Sequence, residues 1–132
     1  MQERNAMIES ATITNDEHGC LSAWVHLDYG GSGQAFGGYS LYLPSSYTNH
    51  DAQSNYAGHF IWRVLEIAGV SEWENLKGAA IRTRGSHGRI SAIGHILRDE
   101  WFYPKEEFEK LSSELDFTKL DALLAERRKD NG

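Results

Sequence analysis

Residues 20–29, CLSAWVHLDY, alternate side chains of opposite character along their whole length. Leu21, Ala23, Val25, Leu27 and Tyr29 point one way, and Ser22, Trp24, His26 and Asp28 the other. A two-residue period puts successive side chains on opposite faces of a strand, so the stretch predicts a half-buried strand. An apolar sheet face has to be covered by another layer, and that need restricts what the chain can fold into.

The neighbouring segments extend the sheet. MIESATIT (7–14) is β-branched at Ile8, Thr12, Ile13 and Thr14 and reads as a strand, with NDEHG (15–19) as the turn that follows. GGSG (30–33) is a turn, and QAFGGYSLYL (34–43) a further strand, interrupted by Gly37-Gly38. A glycine pair inside a strand marks a bulge or a close backbone approach. After a polar loop at 44–55, Tyr56, Phe60, Ile61, Val64, Leu65 and Ala68 recur at helical spacing, and Gly69 stops the helix. Ser71 and Glu74 form a capping-box pattern for a short helical turn through Leu76. AAIRTR (79–84), GSHG (85–88) and RISAIGHIL (89–97) read as a strand, a hairpin turn and a returning strand, followed by the hydrophobic EWFYP.

Pro104 suits a first helical position. Phe108, Leu111 and Leu115 then form one stripe and Leu120, Leu123 and Leu124 another. Asp116 either caps a second helix or lies within a continuous one. The order βββ-α-α-ββ-α predicts an α+β fold, an antiparallel sheet of about five to six strands with helices on one face. Residues 1–103 are expected to form the α+β domain, and 104–132 an amphipathic helical extension packed on or near it.

Charge and composition narrow the function. The net charge is −6 over 132 residues. A DNA-coating role needs a basic face or stripe, so DNA is not an expected partner. Cys20 is the one cysteine; no internal disulfide can form, which fits a reducing, cytoplasmic compartment. No apolar run approaches the roughly 20 residues of a membrane span, and no partner membrane is expected.

The glycine stretch DYGGSGQAFGGYSLYL (28–43) raises the question of a phosphate loop. A P-loop requires Gly-Lys-Ser/Thr and then a helix, and a dinucleotide fingerprint also opens a helix. Here no lysine follows and the next element is a strand. A hairpin with a glycine bulge is one reading; a backbone surface admitting a ligand or another chain is the other. The six histidines, 18, 26, 50, 59, 87 and 95, lack the spacing that chelates a metal from one helix face. Neither a metal nor a cofactor is expected, and no catalytic constellation stands out.

The cations carry more information. Arg82, Arg84 and Arg89 flank one hairpin, Arg63 lies on the first helix and Arg98 follows the last strand. Such a cluster either holds an anion through bidentate contacts or forms a solvated strand face with local salt bridges. Aromatics are abundant, and one beside an arginine would make a stacking site for a base. On this chemistry the expected ligand contacts are Trp24, His26, Phe36, Arg63, Arg82, Arg84, His95 and Trp101.

Three segments together resemble a known family. They are GCLSAWVHLDYGGSGQAFGGYSL (19–41), GHFIWRVLEIAGVSEWENLKG (58–78) and the AIRTR…RISAIGHILRDEWF stretch (80–102). In this order they are similar to small phage proteins of the first anti-Thoeris family. The resemblance implies a non-enzymatic sponge acting in the host bacterial cytoplasm. It would bind a cyclic ADP-ribose isomer, or a related cyclic oligonucleotide, and sequester it uncleaved. It also implies a homo-oligomer, dimer or hexamer, with ligand pockets between protomers. The alternatives are an enzyme that degrades such a nucleotide and an inhibitor that blocks a protein partner without a small-molecule pocket.

Overall fold

The computed structural model describes residues 2–17, 20–39, 41, 51–86 and 88–111. Of the turn expected at 15–19 and the loop expected at 44–55, residues 18–19 and 44–50 lie outside these residues, as does the helix beyond 111. Residues 15–17 instead continue β1 and 51–55 open α1, because β1 keeps its partner in β2 and the helix starts ahead of its apolar stripe. The strands are β1 (Gln2–Glu17), β2 (Cys20–Asp28), β3 (Gly33–Gly37), β4 (Ala80–Gly85), β5 (Ile90–His95) and β6 (Trp101–Phe102). Helix α1 spans Asp51–Ala68, and α2 covers 104–111. The strands form one antiparallel sheet in the order β3-β2-β1-β4-β5-β6. The fold is α+β, as the alternation and helical spacing predict.

β1 is longer than its β-branched run. It begins at Gln2 rather than at residue 7, although QERNA has little strand propensity. The partner decides: Gln2 to Met7 pair with Gly85 to Ala80 of β4. The later part of β1 pairs with β2 instead, from Met7 opposite Asp28 to Glu17 opposite Cys20. One long strand therefore joins two leaves, β1–β2–β3 and β4–β5–β6.

The sheet is rolled. If it were flat, β3 and β6 would stand about 24 Å apart, five strand spacings. Instead Phe36 of β3 and Phe102 of β6 bring their ring centroids to 6.1 Å. Helix α1 fills the trough. Tyr56, Phe60, Val64 and Ile67 are all buried and recur at the spacing of one helix face. Phe60 stacks on Phe36 at 5.8 Å and meets Phe102 edge-on at 5.6 Å. Each of these rings is worth several kcal/mol, about 3–5 for truncation of a buried Phe to Ala.

The helix ends as expected. Gly69 takes φ +72. The Val70 and Gly69 N–H groups donate to the Leu65 and Glu66 carbonyls at 3.1 and 3.2 Å, which is the Schellman arrangement. α2 joins the same core: Phe108 is buried and its ring stacks on Tyr56 at 4.5 Å.

Three local expectations are corrected. The Ser71/Glu74 capping box does not form; Glu72 is the cap of a single 3-10 turn, Trp73–Asn75, and makes no side-chain cap bond. That turn is held by Leu76, which is 0% exposed. EWFYP contains a two-residue strand, β6, against β5. The strand expected through 34–43 stops at Gly37, because Gly37 and Gly38 take φ +126 and +73. Contact with β2 continues irregularly: Gly38 N–H donates to Ala23 O at 2.8 Å and Leu41 N–H to Leu21 O at 2.9 Å. This is the interruption the glycine pair predicts.

A Cβ on Gly37 would collide with the Ala23 carbonyl. The obstacle is backbone, and the positive φ adds strain of about 1–3 kcal/mol. Gly37→Ala is therefore expected to cost at least about 2 kcal/mol in urea unfolding followed by tryptophan fluorescence.

Candidate functional site

Alternation in β4 decides which way the arginines point. Ile81 and Thr83 are buried on the concave face, so Arg82 and Arg84 project from the convex one. Arg82 sits opposite Gly94 and Arg84 opposite Ala92, while Gly94 is paired on its other side with Trp101. The missing side chain at Gly94 makes room for the indole, since a Cβ there would lie 2.6 Å from Trp101 Cε3. The Arg84 and Arg82 guanidinium carbons then lie 3.6 and 4.8 Å from the Trp101 ring centroid.

These groups also satisfy one another. Arg82 Nη1 and Arg84 Nε meet the two carboxylate oxygens of Glu3 at 3.2 and 3.4 Å. Arg82 Nε donates to His95 O at 2.8 Å and Nη2 to Arg98 O at 2.7 Å. Arg84 Nη1 donates to Tyr103 Oη at 2.9 Å, and this bond, with Glu3, raises the Arg84 pKa above its usual value. The indole face that Arg84 covers is closed to a stacking base. The indole Nε1 is buried without a hydrogen-bond partner among the described residues.

Arg63 anchors a second network. Burial lowers its pKa, but Glu107 and Glu66 outweigh that effect and the net shift is upward. Its Nε bonds Glu107 Oε1 at 3.0 Å, its Nη1 pairs with Glu66, and its Nη2 donates to Trp101 O at 2.7 Å. His59 Nε2 reaches the same Glu107 oxygen at 2.7 Å. The network ties α1 to α2 and to β6.

Of the eight expected contacts, Arg82, Arg84 and Trp101 are brought together, with Arg63 bonded to the Trp101 backbone. His95 adjoins them, but its Nδ1 accepts the Leu97 and Arg98 N–H groups at 3.0 Å each, fixing the turn after β5. Trp24 and His26 lie on the convex face of β2, and the Trp24 ring packs over Gly38. Phe36 is 0% exposed and is a core residue, so it drops out as a ligand contact.

Beyond Tyr103 lies a groove that the sequence reading did not single out. Tyr39, Arg89, Ser91, Tyr103, Lys105 and Glu106 line it, with a volume of about 310 Å3. The Arg89 guanidinium carbon is 5.6 Å from the Tyr39 ring. The ion pairs among the described residues engage Arg63, Arg82, Arg84, Arg98 and His59, and leave Arg89 and Lys105 out. Arg84 holds one wall of the groove through Tyr103. The available signals were Arg89, already visible as a flank of the hairpin, and Tyr39, the last residue of Q-x-F-G-G-Y.

Among the described residues, no group of three or more His, Cys, Asp or Glu side chains could hold a metal ion. None of their helices is long and apolar enough to cross a membrane. Comparison with protein-family models, curated proteins and solved structures gives no match for this chain.

Arg63 is expected to act in stability. Arg63→Met would leave Glu107 half-buried and facing acidic neighbours, a loss of about 1–3 kcal/mol. Urea unfolding of the purified variant checks this.

Proposed function

We propose that the protein is a binding module that sequesters a cyclic ADP-ribose-type nucleotide without cleaving it, as a phage anti-defence sponge. The observation that carries this reading is the Tyr39–Tyr103 groove. It combines two aromatic rings with two cations that make no ion pair among the described residues, Arg89 and Lys105, a hydroxyl at Ser91 and one carboxylate, Glu106. An adenine can stack on a tyrosine, and a diphosphate can bridge a guanidinium and an ammonium. The ordered motifs in 19–41, 58–78 and 80–102 support the same reading.

A volume near 310 Å3 is at the lower end for a drug-sized ligand. A cyclic dinucleotide-like molecule needs further enclosure. A homo-oligomer, dimer or hexamer, whose protomers meet over the groove would supply it. Two histidines suited to acid–base work are engaged elsewhere: His59 with Glu107, and His95 with backbone N–H groups. Capture without turnover requires only preorganised contacts, and Arg84 supplies one by fixing Tyr103.

The test incubates the protein with a cyclic ADP-ribose isomer, removes free ligand, heats the protein and identifies what is released. Intact nucleotide is the expected product. A linear product, or no retained ligand, would overturn the proposal. Arg89→Ala is expected to weaken retention at least tenfold, about 1.4 kcal/mol. Arg84→Ala is expected to weaken it less, because its contribution passes through Tyr103.

A further inference from the structure

At one end of the half-barrel the concave face turns polar. Two residues along each of four strands, an apolar inward position gives way to a polar one. Ala6 is followed by Arg4 in β1, Leu27 by Tyr29 at the end of β2, Phe36 by Gln34 in β3, and Ile81 by Thr83 in β4. The four polar side chains surround a cavity of about 200 Å3, which also meets Ser86 of the β4–β5 turn.

The arrangement is built, not loose. The Arg4 guanidinium carbon lies 3.9 Å from the Tyr29 ring centroid. Tyr29 Oη donates to Gln34 Oε1 at 2.9 Å and lies 3.4 Å from Thr83 Oγ1. Gln34 Nε2 donates to Ser86 O at 3.3 Å. Thr83 is 2% exposed and holds the floor. The ring that orients Arg4 is thus fixed from two neighbouring strands.

The electrostatics of this mouth are one-sided. Among the described residues no carboxylate lines the cavity. The Arg4 guanidinium makes no ion pair among them; it lies on the Tyr29 ring, while the Arg4 carbonyl accepts from Thr83 Oγ1 at 3.4 Å. Glu3, the nearest acid in sequence, faces the convex side with Arg82 and Arg84. A guanidinium lying on a ring keeps its in-plane N–H groups available, and that fork matches two oxygens of one oxyanion. In a chain of net charge −6, an exposed cation that lines a concavity with no carboxylate among the described residues draws anions there.

We propose that this mouth binds a phosphoryl group carried by a small metabolite. Size sets the class. The cavity is below the roughly 300 Å3 where drug-sized ligands begin, and at roughly 30 Å3 per displaced water it admits a tetrahedral oxyanion with a short tail. Arg4 pairs with the oxyanion beside the Ser86 hydroxyl, and Gln34 and Thr83, bonded to Ser86 O and Arg4 O, form the walls that hold the site in shape. The site lies on the concave face, apart from the Tyr39–Tyr103 groove, and stands whether or not a nucleotide binds there.

The test titrates the 15N-labelled protein with inorganic phosphate at constant ionic strength, with chloride as the control. Saturable shifts centred on the Gly33, Gln34, Gly85 and Ser86 amides are expected with phosphate and not with chloride. Arg4→Gln is expected to weaken phosphate at least tenfold, while Arg98→Gln, the loss of an exposed cation, leaves it unchanged. Unsaturable or scattered shifts, or wild-type affinity in Arg4→Gln, would overturn the site. If Arg4→Gln does not fold, Arg4→Lys keeps the charge and removes the fork. Severalfold weaker phosphate binding is then expected, and unchanged binding overturns the proposal. Glycerol 3-phosphate is expected to bind at least as well as phosphate. Adenosine 5′-monophosphate binding tighter than both at these amides would overturn the size class. Arg4→Gln is expected to leave nucleotide retention in the heat-release experiment intact, so the two readings fail separately.

Discussion

Contact among Phe36, Phe60 and Phe102 shapes everything else in this molecule. The three rings come from β3, α1 and β6, and their centroids lie within 5.6 to 6.1 Å of one another. A flat sheet would keep the outer strands about 24 Å apart. Burying the rings together therefore requires the sheet to roll, and α1 to lie inside the roll. The long β1 makes this feasible, because it hydrogen-bonds to one leaf with its first residues and to the other with the rest. Once rolled, the sheet has a convex face, a concave polar mouth and a seam, and each collects a different set of side chains.

The cations sort by what surrounds them, not by how many there are. Arg82 and Arg84 look like an anion site in the sequence, yet they spend their N–H groups on Glu3, Tyr103 and backbone carbonyls. Exposed pairs of this kind contribute little individually, about 0–1 kcal/mol. Their combined effect is positional: they clamp Trp101 over Gly94 and hold Tyr103. Arg63 does the same for α1 and α2 through Glu66 and Glu107. Arg4, Arg89 and Lys105 have no acid partner among the described residues, and it is they that line cavities.

Much of the secondary structure was legible. The alternation of 20–29, the helical spacing of 56–68 and the stop at Gly69 all correspond to observed elements. What was not legible has a common cause. The first residues of β1 are polar and become a strand only because β4 offers hydrogen-bond partners. β6 has two residues, too few to show a period, and exists because Gly94 admits the Trp101 ring. The candidate site was legible only in part. The arginine–tryptophan association of Arg82, Arg84 and Trp101 was anticipated as chemistry, but its saturation by Glu3 depends on a residue some eighty positions away.

The sequence by itself determined the class of fold, the helix stop at Gly69 and the break at Gly37-Gly38. These depend on side-chain period and on backbone conformations that only glycine adopts freely, both local properties. Only the tertiary structure decided which charges are free. A guanidinium has the same chemistry in every part of the chain; whether an acid or a ring lies within reach depends on how strands distant in sequence are aligned. The roll of the sheet put Glu3 beside Arg82 and Arg84 on the convex face, and left Arg4 on Tyr29 in a mouth that no acid lines among the described residues.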